Sequence, residues 1–212
     1  MKTIIKTTMK VLIVFALVVA IFSQPRDVLA ADVYKFKGYS AAAFFSETDP
    51  SGCTFTGGSV FVFENISHSP PGPGSYTADV LVDLFKQDIC TGTTLMSASN
   101  TAPAEITEFN VAGNLDTATV VATVPMFDYV SNTAFDLTVD LTWTGTSPLG
   151  HQSTQSKVNF AGCHTNLKNN SAFRYAEASG TVSDGTTNFT PSPSEQGSIF
   201  LAKGGEISHG CN

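Results

Sequence analysis

Apolar and polar side chains alternate through most of the chain. Phe135, Leu137, Val139, Leu141 and Trp143 fall on one side of an extended backbone, with Asp136, Thr138, Asp140, Thr142 and Thr144 on the other. That period of two predicts a half-buried strand. Just before it, Ala118, Val120, Ala122, Val124 and Met126 alternate with Thr117, Thr119, Val121 and Thr123, and residues 128–133 between the two runs predict a hairpin loop. Tyr76, Ala78, Val80, Val82 and Leu84 alternate in the same way with Thr77, Asp79, Leu81, Asp83 and Phe85. Val60-Phe61-Val62-Phe63 is apolar at every position, as a central strand covered on both faces would be. Weaker strand signals lie near 34–45, 106–111, 173–182 and 198–203.

Turn chemistry separates these runs: Asp49-Pro50-Ser51-Gly52, Pro70-Pro71-Gly72-Pro73-Gly74, Gly113-Asn114, Ser183-Asp184-Gly185 and Pro191-Ser192-Pro193. Beyond the first thirty residues no window of ten or more shows a helical period. Many short strands at close spacing predict an all-β antiparallel sandwich, immunoglobulin-like or jelly-roll-like, over a single open sheet. The 16 Phe and single Trp suit its core. Trp143, at the end of an apolar strand face, is expected to be buried.

The first thirty residues read differently. Lys2, Lys6 and Lys10 precede an apolar run from Val11 to Phe22, followed by Gln24-Pro25 and the small-x-small sequence Val28-Leu29-Ala30. This order predicts a secretory signal peptide over residues 1–30 and one domain over 31–212. The run is shorter than the ~20 residues that span a bilayer, so no stable membrane anchor is expected. Of the 11 basic and 18 acidic side chains, four (Lys2, Lys6, Lys10, Arg26) and one (Asp27) lie in that leader, leaving seven and seventeen. A net charge of −10 on the remainder disfavours nucleic acid and anionic membranes as partners. Cys53, Cys90, Cys163 and Cys211, an even set in an exported chain, predict two disulfides, for which Cys53–Cys90 and Cys163–Cys211 pair sequence neighbours.

Asp140-Leu141-Thr142-Trp143-Thr144-Gly145-Thr146 and Arg174-Tyr175-Ala176-Glu177-Ala178-Ser179-Gly180-Thr181-Val182 resemble stretches of uncharacterised secreted bacterial β-rich proteins. The resemblance implies export and a β-sandwich, and brings no activity or site residues with it. Chemistry is sparse. Cys163-His164 with His209-Gly210-Cys211 has the donor types of a zinc site, but oxidation of the cysteines competes outside the cell. Asp79 with Asp83, and Asp136 with Asp140, sit four apart on strands, ~13 Å at ~3.3 Å per residue, too far to share one calcium ion. There is no Gly-x-Ser-x-Gly, and the four histidines (His68, His151, His164, His209) lie in polar, turn-like sequence. No catalytic residue, metal site or cofactor is therefore assigned. The expected function is a non-enzymatic extracellular binding module for an unidentified ligand or surface, with a small secreted hydrolase and a structural surface component as alternatives. The stiff loop from Ser67 to Ser75, with its three prolines, is the one segment marked as a recognition element.

Overall fold

A computed structural model describes residues 32–69, 72–160, 163–192 and 197–209, and places them in eleven strands with no helix. These are β1 Asp32–Thr48, β2 Thr54–His68, β3 Ser75–Asp88, β4 Thr93–Asn100, β5 Glu105–Val111, β6 Thr117–Asp128, β7 Thr133–Gly145, β8 Gly150–Phe160, β9 Cys163–Ser183, β10 Asn188–Phe189 and β11 Gly197–His209. Every pairing is antiparallel, as expected. The division into two sheets expected of a sandwich does not appear in the pairings, which join all the strands in one sheet whose path returns to its start. From β1 it runs through β2, β3, β4, β6, β7, β9 and β11 and back to β1. Such closure leaves these strands without long bare edges. The ring is thinnest where β4 meets β6, over three residue pairs.

The alternation seen in the sequence becomes inside and outside. Ala41, Ala43, Val60, Val62, Val80, Val82, Val120, Val124, Leu137, Leu141 and Ile199 are all buried within the ring. Each Val or Leu so placed contributes ~1.5–3 kcal/mol of transfer free energy. Trp143 is fully buried, and its Nε1–H donates to the Ala42 carbonyl at 2.8 Å, which satisfies the one polar atom of the ring. Phe61 and Phe63, expected to be covered on their own face as fully as the valines, are half-buried outside and touch each other with centroids 5.9 Å apart. Leu115 fills one end of the interior from a left-handed backbone conformation (φ 57°), held by its N–H on the Ala112 carbonyl.

Cys53 and Cys90 are disulfide-bonded, as expected. Cys211 lies outside the described residues, as do the expected signal peptide and Pro70–Pro71 of the proline-rich loop; the Cys163–Cys211 pairing falls there with them. Thr93–Asn100, Gly150–Phe160 and the first half of β9 are strands that the sequence pattern does not announce.

Candidate functional site

Several strands are longer than the core they enclose. β8, the first half of β9, β11, and the adjoining ends of β1 and β2 run on past the buried interior as a sheet, here called the wing. Because the register is continuous, the wing face that extends the ring's lining can be read row by row. Nearest the core is Tyr39, flanked by Glu64 and Leu201. The next row is Ile66–Lys37–Lys203–Asn170–Ser153, and then His68–Lys35–Gly205–Lys168–Gln155. Beyond these, Asn166 stands beside Lys157, and His164 beside Asn159. His151 lies on the same face at the other end of β8, opposite Ala172.

The rows concentrate almost all the positive charge from residue 31 on. Lys35, Lys37, Lys157, Lys168, Lys203 and Arg174 share this face, and only Lys86 lies elsewhere, near the far end of β3. Arg174 sits where the wing meets the core and pairs with Asp116, so the lysines remain as the accessible charges. Lys35, Lys157, Lys168 and Lys203 are exposed, and the half-buried Lys37 rests its ammonium 4.6 Å above the Tyr39 ring. Glu64 is the only carboxylate on this face among the described residues, and it accepts from the Tyr76 hydroxyl at 3.3 Å. Burial raises the Tyr76 pKa, with the Glu64 charge adding to the effect.

Lys37 and Lys203 are directly cross-strand. Like charges so placed oppose each other across ~5 Å and destabilise the pairing. Asn170 stands beside Lys203, and further along the face Gln155 Nε2 donates to Asn166 Oδ1 at 3.2 Å and His164 Nδ1 lies 2.6 Å from Asn159 Oδ1. The face can therefore attract negative charge and exchange hydrogen bonds with a polar ligand.

The histidines depart from the sequence reading, which put them in turns. All four lie within strands: His68 in β2, His151 in β8, His164 in β9 and His209 in β11. His68, His151 and His164 are exposed, and β8 is exposed throughout residues 151–159, so no apolar face marks these positions as strand. His164 and His209 are in register, but no group of three or more metal-ligating residues occurs among the described residues. The paired aspartates do not converge. Asp136 and Asp140 are exposed on the outside of β7, while Asp79 has a structural task, accepting the Ala104 N–H at 3.0 Å and so tying the start of β5 to β3.

An open cleft of about 390 Å³ lies between β3 and β5, lined by Tyr76, Ala78, Ile106, Thr107, Glu108 and Phe109. Its one carboxylate, Glu108, accepts from Thr119 and Asn110, and the Thr107 hydroxyl donates to the Val121 carbonyl. The cleft thus offers no pair of free acid and base groups. Ser67 and Ser75 of the proline-rich loop prove to be the last paired residues of β2 and β3, with their hydroxyls 2.6 Å apart. His68, which precedes the loop, is the β2 residue paired with Lys35 in the wing. No protein-family model, no curated protein and no solved structure matches the chain.

Proposed function

We propose that the protein is exported and works as a binding module that holds an anionic extracellular ligand on the inner face of its wing. The observation that carries this reading is the segregation of charge: five lysines share one exposed face with a single carboxylate, in a chain whose net charge from residue 31 on is −10. Solubility alone would scatter these lysines among the acids, where each could relieve repulsion. Keeping Lys37 opposite Lys203 costs stability, and a ligand that bridges the two ammonium groups repays it. The leader-like sequence 1–30 and the Cys53–Cys90 disulfide support an oxidising, extracellular setting.

The test is retention on a sulfonate cation exchanger at pH 7.5 and low salt, using the chain from residue 31. A uniformly acidic protein flows through, whereas this one is expected to be retained through its wing. The fourfold variant Lys35→Gln, Lys37→Gln, Lys168→Gln, Lys203→Gln should flow through while keeping its melting temperature within a few degrees. Flow-through of the unaltered protein would end this reading.

A further inference from the structure

We infer that the ligand on the wing is a linear acidic polysaccharide, lying across the strands; the inference rests on the binding reading above. Three features of the face select this class.

The first is its form. Lys35 on β1, Lys203 on β11, Lys168 on β9 and Lys157 on β8 occupy four successive strands, which at ~4.8 Å per strand spreads the charge over ~14 Å. Small anions are held in concave sites that enclose most of their surface. Four of the wing's lysines stand out in solvent, and no lysine lines the cleft between β3 and β5. A sheet face with spaced charges fits a chain that meets several lysines in turn, each contact being weak by itself.

The second is what stands between the lysines. Ser153, Gln155, Asn166 and Asn170 supply both donors and acceptors in the lysine rows or next to them. Such side chains match the hydroxyls that separate acidic groups along a polysaccharide. A bare polyphosphate, which has only acceptors, would offer no donor to the Gln155 and Asn170 carbonyl oxygens, whereas Asn166 Oδ1 already accepts from Gln155.

The third is the position of the aromatics. Single-stranded nucleic acid is held by stacking its bases on aromatic rings that follow a basic track. The phenol rings on this face are Tyr39, with Lys37 over it, and Tyr76, tied to Glu64; both lie at the core end, away from Lys157 and Lys168. The lysine track itself carries only the imidazoles of His68 and His164, smaller stacking platforms than a phenol or indole, and no phenyl, phenol or indole ring among the described residues.

Isothermal titration at low salt distinguishes the classes. The probes are polygalacturonate for carboxylate, dextran sulfate for sulfate, neutral dextran, monomeric galacturonate and an unstructured single-stranded DNA of matched length. At least one acidic polysaccharide should bind, and the stronger of the two identifies the preferred acidic group. Neutral dextran should not bind, and monomeric galacturonate should bind at least 100-fold more weakly than the polymer. Lys168→Gln with Lys203→Gln should weaken the polymer at least tenfold, with an unchanged melting temperature. DNA binding as tight as the polysaccharide, or monomer binding as tight as the polymer, would overturn the inference. A doubled mass by light scattering at low salt, lost in the double variant, would assign the face to a second copy of the chain instead. Retention on the cation exchanger without binding to either acidic polysaccharide refutes this inference alone; failure of both refutes the binding reading beneath it.

Discussion

Trp143 joins opposite sides of the interior, packing within β7 while its indole N–H reaches the Ala42 carbonyl of β1. Replacing it by alanine opens a cavity and strands that carbonyl, so urea denaturation should show a loss of about 3–5 kcal/mol. Its fluorescence should be blue-shifted and resistant to iodide; ready quenching would place it at the surface. Asp128 is a second residue with an identifiable task. It is largely buried, which disfavours its charge, yet the N–H groups of Ser97, Val130 and Ser131 and the Ser131 hydroxyl together hold its carboxyl below the usual carboxylate range. A carboxyl with a depressed folded-state pKa contributes stability that is present above the unfolded value of ~3.9 and lost as pH falls through the folded one. Asp128→Asn should therefore be less stable than the unaltered protein at pH 7 and should lose less on acidification toward pH 2. Parallel stability curves for the two forms would refute this role. Asp184 uses the same device, with the N–H groups of Thr186 and Thr187 overcoming its burial.

At the scale of elements, legibility followed burial. The strands over the core announce themselves because one face is apolar and the other polar, as in β7 from Phe135 to Trp143. Where a strand leaves the core that contrast ends. β8, Gly150–Phe160, is exposed along nearly its whole described length, and nothing in His-Gln-Ser-Thr-Gln-Ser-Lys distinguishes it from a loop. The candidate site lies on such strands, so its lysines could be counted from the sequence but not gathered onto one face. Only register does that: Lys35, Lys168 and Lys203 are brought together by β11 running between β1 and β9. The Cys53–Cys90 bridge joins the loops that follow β1 and β3, across 37 residues. Removing it by Cys53→Ala with Cys90→Ala should lower stability by about 2–4 kcal/mol, mainly through a freer unfolded chain. An unchanged urea midpoint would show that the strand pairing between β2 and β3 already supplies that restraint. The proline-rich loop can be judged in the same manner. Replacing residues 69–74 with a Gly-Ser linker should leave the melting temperature nearly unchanged, and any loss of retention on the cation exchanger would make the loop part of the wing's surface.

Across the whole molecule the charges divide. Glu105, Glu108, Asp136 and Asp140 lie on the outside of β5 to β7, whereas the lysines lie on the wing face continuous with the interior. That segregation gives the wing face a local excess of positive charge, through which the proposed anionic ligand would be attracted despite the net charge of the chain. Salt should weaken the attraction steeply, because the lysines are exposed and the Debye length falls to ~8 Å at physiological ionic strength. The most direct test locates the contact. In a ¹H–¹⁵N spectrum of the chain from residue 31, titration with a short oligomer of the acidic polysaccharide that binds more tightly should shift amides of residues 33–39, 152–158, 165–171 and 201–206, and leave those of β5, β6 and β7 in place. Shifts centred on the cleft between β3 and β5, with the wing unmoved, would contradict the assignment of the wing as the binding surface.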